Sequence, residues 1–128
     1  MKSGSLFAGA FASVLTFVFF AAQPTSALTL NSGDAAIYNF NFTGQVPPPP
    51  YDLVFINLHF GGVGFPPAVY DVFDGLNATG ALALHNPGGF TTNANQITSD
   101  ARVTDGIFSV KITANGLVDV LSLDADAP

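Results

Sequence analysis

Alternation of apolar and polar residues with a period of two is the main pattern along this chain. Residues 35–42 show it clearly, with asparagines at positions 39 and 41 on the polar side. The apolar side consists of Ala36, Tyr38, Phe40 and Phe42. Because successive side chains of a strand point to opposite faces of a sheet, this segment is predicted to be a β-strand with one buried face.

Residues 51–60, YDLVFINLHF, are almost continuously apolar, which is typical of a strand at the centre of a sheet. Their wholly apolar side consists of Val54, Ile56, Leu58 and Phe60, and the opposite side of Leu53, Phe55, Asn57 and His59. Shorter strands are predicted at residues 28–30, 68–74, 80–85 and 101–104, and residues 90–99 are predicted to be a loop or a weak edge strand.

Asn115-Gly116 separates two further runs, 108–114 and 117–123. An Asn-Gly pair in this position is the strongest short-range signal for a β-hairpin with a type I′ turn. The two-residue turn sets the register and predicts one buried face across both strands. That face consists of Phe108, Val110, Ile112, Ala114, Leu117, Leu121 and Leu123.

The fold class follows from the spacing of these elements. Strands recur about every ten residues, Gly, Pro, Asn and Asp separate them, and no amphipathic helix of three turns is visible after the first 27 residues. We therefore expect an all-β protein, an antiparallel β-sandwich or jelly-roll-like fold of about seven to eight strands.

The N-terminus has the features of a secretory signal peptide. Lys2 is followed by an apolar run at residues 6–22 and by the small-residue cleavage site Thr25-Ser26-Ala27. We call Met1–Ala27 the leader, expect it to lie outside the fold, and predict a single domain of residues 28–128. The apolar run is about as long as the shortest membrane spans, so an uncleaved anchor is the alternative.

Charge and cysteine content limit the partners of residues 28–128. Arg102 and Lys111 face nine aspartates there, a formal net charge of −7. Nucleic acids and anionic membranes are bound mainly through Lys and Arg, so we expect neither as a partner, and we expect no membrane span after cleavage. Cysteine is absent, so disulfides and thiol lipidation are excluded and packing must stabilise the fold.

Aspartate-rich loops raise the question of calcium, which takes carboxylate and carbonyl oxygens as ligands. The densest candidates are Asp100, Asp105, Asp124 and Asp126. The alternative is that short Asp side chains cap turns and keep the surface acidic. No ordered DxDxDG spacing is present, so the prediction is that the protein has no cofactor, with calcium as the competing hypothesis.

Catalytic signatures are absent from the sequence. His59 and His85 lie in no metal-binding or triad spacing and are expected to form structural hydrogen bonds. There is no GxSxG motif and no cysteine, and Asp71 and Asp74 are spaced so that a strand would point them to opposite faces. We predict no catalytic residues and a protein that is not an enzyme, with a hydrolase as the third hypothesis.

Sugar binding is the alternative function, because jelly-roll sandwiches often carry lectin-like sites. The loop aromatics Phe65 and Phe90 are the candidate sugar-stacking residues. Tyr38, Tyr51 and Tyr70 also offer aromatic faces, although tyrosines at strand positions more often belong to the core.

Two segments, VYDVFDGLNATGALAL (69–84) and DGIFSVKITANGLVDVLSL (105–123), follow a leader that ends near TSALTL. Together they resemble the exported bacterial β-sandwich proteins of the PEP-CTERM type, in which an FDG turn follows one strand and a late DG turn precedes the closing strand pair. Here the matching residues are Phe73-Asp74-Gly75 and Asp105-Gly106. Such proteins end with a Pro-Glu-Pro motif, an apolar span and a basic cluster, whereas this sequence ends with LDADAP.

The resemblance implies a bacterial host, export and an extracellular or surface location, and it implies no catalytic residues. Taken with the leader, it leads us to expect a secreted, non-catalytic extracellular, surface or matrix protein. Its expected partner is an extracellular polysaccharide or a matrix protein.

Overall fold

β-Strands dominate the described part of the chain. The computed structural model describes residues 15–20, 27–44, 49–50, 54–61, 67–86, 97–101 and 105–126. The strands are β1 (Thr16–Phe20), β2 (Leu28–Leu30), β3 (Ala35–Asn41), β4 (Val54–Phe60), β5 (Ala68–Asp74), β6 (Ala81–Asn86), β7 (Ile97–Ala101), β8 (Ile107–Ala114) and β9 (Val118–Asp126). The helical part of these residues is a 3-10 turn, Leu76–Ala78, so none of the described helical structure could cross a membrane.

The strands form two sheets. Sheet A has five strands in the order β1-β3-β8-β5-β6, and sheet B has four in the order β2-β9-β4-β7. β1 pairs with β3 in parallel, while the other described pairs are antiparallel. The two sheets enclose one hydrophobic core.

The antiparallel pairs are nested along the chain. β2 pairs with β9, β3 with β8, β4 with β7 and β5 with β6. This is the arrangement of one long antiparallel hairpin that has been folded over into two layers, which is a jelly roll. The predicted all-β sandwich is confirmed, and eight of its strands lie in residues 28–128.

Alternation along β4 explains how this strand forms the centre of sheet B. Its inward residues Val54, Ile56, Leu58 and Phe60 are at most 1% exposed, and β4 lies between β9 and β7. The prediction of a core strand here is confirmed. On sheet A, aromatic rings fill the core. The Phe108 ring of β8 stacks on the Phe40 ring with centroids 4.9 Å apart and packs edge-on against the Phe42 ring with centroids 5.6 Å apart.

The predicted hairpin at Asn115-Gly116 is wrong. β8 belongs to sheet A and β9 to sheet B, so the chain crosses between the layers at this point. A type I′ turn needs positive φ at both central residues, and neither Asn115 nor Gly116 has one. Instead, the Asn115 amide donates to the Pro67 carbonyl at 2.6 Å, and a Cβ on Gly116 would lie 3.1 Å from Pro67.

The buried face of β9 changes as a result. Leu117 and Leu121, predicted to be buried, are 68% and 45% exposed, whereas Val118 and Val120 are 4% and 0% exposed. The pairing of β4 with β9 shifts register between His59 and Phe60, which skips Leu121. This β-bulge lets Val120 and Leu123 both point inward although they are three residues apart.

The two edge strands of sheet B agree in part with the sequence prediction. The short edge strand at residues 28–30 is confirmed as β2. β7 covers residues 97–101 and pairs with β4 as an edge strand of sheet B, which agrees with the weak edge strand that is one of the two predictions for residues 90–99. The separate short strand predicted at 101–104 shares Ala101 with it. Residues 102–104 lie outside the described residues.

A short loop folds over the outer face of sheet A between β5 and β6. The Asn77 amide donates to Asn39 Oδ1 at 2.7 Å, and Asn39 Nδ2 donates to Asn77 Oδ1 at 3.0 Å. The Ala78 amide donates to Ser109 Oγ at 2.8 Å. At the base of the loop only glycine fits position 80, because a Cβ there would lie 2.1 Å from the Asp74 carbonyl oxygen. The loop therefore buries Asn39 and Ser109 on what would otherwise be a solvated face.

In the full chain the leader contributes β1 to sheet A, which differs from the expectation that it lies outside the fold. The reason is the alternation in TFVFF, since Phe17 and Phe19 extend the core of sheet A at its edge. Whether the leader is removed stays a prediction, as do the domain limits 28–128.

Truncating Phe108 should be among the most destabilising single changes in the core. Phe108 is fully buried, and Phe108→Ala is expected to lower the free energy of unfolding by about 3–5 kcal/mol through lost burial and a residual cavity. Urea denaturation measures it. The control Leu117→Ala, at an exposed apolar position, should change stability by at most about 0.5 kcal/mol. Equal effects of the two substitutions would contradict the assigned core.

Candidate functional site

The outer side of sheet B carries aromatic, amide, imidazole, hydroxyl and carboxylate side chains close together. β4 points Phe55, Asn57 and His59 outward, because its alternate residues fill the core. The register places each of them opposite a polar residue of β9. We call this surface the sheet B face; it consists of Phe55, Asn57, His59, Ser122, Asp124 and Asp126.

An aromatic ring and a fixed pair of polar side chains lie next to each other on the sheet B face. Phe55 is 38% exposed and is the register partner of Asp126. Asn57 Nδ2 donates to Asp126 Oδ2 at 2.9 Å. The hydrogen bond orients the amide and the carboxylate relative to each other.

Asp124 adds a second carboxylate on the same strand. It lies opposite Asn57 in the register, and among the described side chains its buried Oδ1 has no hydrogen-bond partner. A buried acceptor without a donor is costly, but this oxygen has almost no accessible surface, so a ligand on the sheet B face would not reach it directly.

These groups suit recognition of a sugar ring. A pyranose presents apolar C–H groups on its face and hydroxyls at its edge, so an exposed aromatic ring beside oriented amide and carboxylate groups matches both parts. Because the groups lie on a paired central strand rather than on loops, their positions are fixed before a ligand arrives.

The four candidate calcium ligands are divided between two places. Asp124 and Asp126 lie on β9, and Asp100 of β7 pairs in register with Phe55, so these three belong to sheet B. Asp105 instead precedes β8 of sheet A, where its Oδ1 accepts from the Ile107 amide at 3.0 Å. Within the described residues, no three acidic or histidine side chains are grouped so that they could hold a metal ion. Calcium stays a hypothesis that the structure does not test.

Asp105 meets Asp74, a pairing that sequence spacing could not reveal because the residues belong to different turns. Partial burial raises the pKa of Asp74, and the nearby Asp105 carboxylate raises it further by repulsion and a hydrogen bond. Carboxyl groups in hydrogen-bond contact are closer than the roughly 5 Å that glycosidases need between their two acids. The pair is not arranged for that reaction.

The two histidines lie on different sheets. His59 faces Ser122 on the sheet B face, whereas His85 of β6 contacts Asp71 of β5 through Nδ1 and Oδ1 on the outer side of sheet A. Lys111 lies across from Asp71 on the other side. His85 therefore takes part in a cross-strand polar row, as expected of a structural histidine.

Tyr38 and Tyr70, two of the five predicted aromatic residues, do not contribute to the sheet B face. Phe65, Phe90 and Tyr51 lie outside the described residues, while Tyr38 and Tyr70 are 0% and 4% exposed and belong to the core. Phe55 is the aromatic residue that sequence analysis missed. The alternation in β4 could have identified it, because Phe55 lies on the same side of the strand as Asn57 and His59.

Comparison with known proteins adds no family to these observations. A scan against protein-family models finds no match to the chain, and a search of curated proteins finds no significant relative.

The Asp74–Asp105 contact predicts a pH dependence of stability. The folded-state pKa of Asp74 lies above its ordinary value of 3.8, so the folded chain holds this proton more tightly than the unfolded chain. The resulting stabilisation is complete below pH 3.8 and is lost as the pH rises through the raised pKa. Asp74→Asn should remove this loss and flatten the curve of Tm against pH between about pH 3 and 7.

Two variants make this measurement decisive. Asp105→Asn should flatten the same curve, because it removes the neighbouring carboxylate. Asp119→Asn should not, because Asp119 lies in sheet B and accepts from the Thr29 hydroxyl at 2.7 Å. An unchanged curve for Asp74→Asn would contradict the raised pKa of Asp74, and an unchanged curve for Asp105→Asn would show that the two carboxyl groups do not interact.

Proposed function

We propose that this chain is a secreted, non-catalytic β-sandwich of the bacterial cell surface or extracellular matrix. One observation carries the proposal. Among the described elements, removing the leader takes away only β1, an edge strand, and leaves all four nested strand pairs within residues 28–128. The segment expected after cleavage thus retains every strand of the jelly roll.

The sequence supports the same reading. The leader combines a lysine, an apolar run and a small-residue cleavage site, and the segments around Phe73-Asp74-Gly75 and Asp105-Gly106 resemble exported PEP-CTERM-type sandwiches. The absence of cysteine means that folding after export requires no disulfide formation.

Export is tested by expressing the full chain in a Gram-negative bacterium and recovering it from each cell fraction. We expect the exported chain to begin at Leu28, as measured by intact mass. Val14→Arg should keep it in the cytoplasm, since a charge in the apolar run disables a signal peptide, whereas the matched Val14→Leu should be exported normally. Finding the unaltered chain only in the cytoplasm would contradict the proposal.

Carbohydrate binding is the second candidate function, and the sheet B face favours it. The face combines an exposed Phe55 with the oriented Asn57–Asp126 pair. The net charge of the predicted domain makes a neutral or cationic polysaccharide a better ligand than an anionic one.

A glycan array and a pull-down on insoluble polysaccharides, each with and without calcium, test this function. Phe55→Ala should weaken binding at least about tenfold, which corresponds to about 1.4 kcal/mol. Leu82→Ala is the matched control, because Leu82 is an exposed apolar residue of sheet A. Phe65→Ala and Phe90→Ala test the two loop candidates. Absence of binding to any glycan would leave only the first proposal, whereas equal binding by the Phe55 and Leu82 variants would exclude the sheet B face as the binding site.

A further inference from the structure

We propose that the outer edge of β3 is an acceptor site for a parallel peptide strand. The leader fills it in the unprocessed chain, and after cleavage it takes an extended apolar segment of another protein. The expected occupant carries two aromatic side chains two residues apart. The inference rests on the proposed removal of the leader, and it adds a binding site on the sheet opposite the sheet B face.

The leader shows how a strand is seated at this edge. The Ala35 amide donates to the Leu15 carbonyl at 2.8 Å, and the register pairs Phe17 with Ala36 and Phe19 with Tyr38. Because backbone groups alternate in direction along a strand, the amides of Ala35, Ile37 and Asn39 face the occupant. Those of Ala36, Tyr38 and Phe40 face β8.

Side chains add specificity to the backbone pairing. The Phe19 ring stacks on Tyr38 with centroids 5.0 Å apart, and both Phe17 and Phe19 pack against the core. Val18, between them, is 48% exposed. An incoming strand therefore needs large apolar residues at two alternate positions and is unrestricted at the position between them.

Asp34 provides a fixed anchor at the start of the site. Its side chain is buried with the residue 2% exposed, Oδ2 accepts from the Asn31 amide at 3.0 Å, and Oδ1 accepts from the Leu15 amide at 3.1 Å. Asp34 has this exposure with the leader in place, so loss of the leader removes the Leu15 donor and uncovers Oδ1, which can then accept from another backbone amide. The first amide of a new parallel strand supplies the same hydrogen bond.

β3 lacks the features that protect other sheet edges. It is seven residues long and contains no charged residue and no proline. β2 has only three residues, β6 carries His85 in contact with Asp71, and β7 contains Asp100. Native edges that must stay unpaired are short, charged or interrupted, so the composition of β3 favours a paired edge.

A second copy of this chain fits the edge less well than a different protein. Twofold pairing of β3 with itself would be antiparallel, whereas Asp34 is placed to receive the first amide of a parallel strand. Each processed copy would also carry a formal net charge of −7, so two copies repel each other.

Hydrogen exchange on the full chain tests the acceptor site. A protease recognition sequence inserted between Phe20 and Ala27 allows the leader to be cut and exchanged in vitro, so the test does not require export in cells. The probe is the peptide LTFVFF, residues 15–20, with a soluble tag. After leader removal, the amides of Ala35, Ile37 and Asn39 should exchange at least about tenfold faster. The amides that face β8 should stay protected as an internal control.

Saturable restoration of protection by the probe would support the proposal. N-methylation of the probe at Phe17 should weaken its binding at least about tenfold, because that amide faces β3. N-methylation at Val18, whose amide faces away, is the matched control and should have little effect. Replacing Phe17 and Phe19 of the probe with serine should also weaken binding, because these two rings pack against the core. If residues 1–20 stay bound after the cut, competition by the labelled probe measures the same equilibrium.

Three results would overturn the proposal. The first is failure of the probe to bind. The second is equal weakening by the two N-methylated probes, which would mean that no parallel strand forms in this register. The third is protection of the edge amides that rises with protein concentration without any probe, which would assign the edge to a second copy. Export can fail in cells while the probe still binds, so the two proposals are tested separately.

Discussion

Burial of apolar side chains between the two sheets is the interaction on which the rest of the structure depends. Each nested strand pair joins parts of the chain that are far apart in sequence, and closing such loops costs conformational entropy that grows with loop length. The outermost pair, β2 with β9, joins residues near 30 to residues near 118. No disulfide reduces this cost because the chain has no cysteine. The fully buried residues of both layers, among them Leu30, Ile56, Phe108 and Val120, must therefore offset it.

The two outer faces of the sandwich differ because of one loop. The loop between β5 and β6 covers part of sheet A. Its Asn77 and Ala78 amides donate hydrogen bonds to Asn39 and Ser109, two polar strand residues that are thereby buried. Nothing comparable covers the sheet B face within the described residues, so Phe55 stays exposed beside Asn57 and Asp126. The loop thus separates a face that stabilises the fold from a face that is available for binding. The short turn GLNATG achieves this because Asn77 tolerates a left-handed backbone, with φ 57°, and because position 80 has no side chain.

Local patterns predicted the strands but not how they pair. The alternation in β3 and β4 identified the sides that face the core, because each pattern reports directly on one strand. The turn at Asn115-Gly116 misled, because its local preference for a hairpin is weaker than the packing of Ala114, Val118 and Pro67 that directs β8 and β9 into separate sheets. The bulge at Leu121 was invisible for a related reason, since it depends on the partner strand β4. Contacts between distant turns, such as Asp74 with Asp105, form only in the tertiary fold. They cannot be predicted from the positions of the two residues in the sequence.

The leader is subject to two physical requirements in the same residues. Insertion into an export channel requires a continuous apolar run, whereas pairing with β3 requires alternate residues to face the core. The segment TFVFF meets both, with Phe17 and Phe19 inward and Val18 outward. An edge strand without charges, such as β3, is prone to pair with other chains before a protein reaches its destination. Under the proposed export, a leader that occupies this edge before cleavage would protect the chain from such pairing, and its removal would then expose the edge.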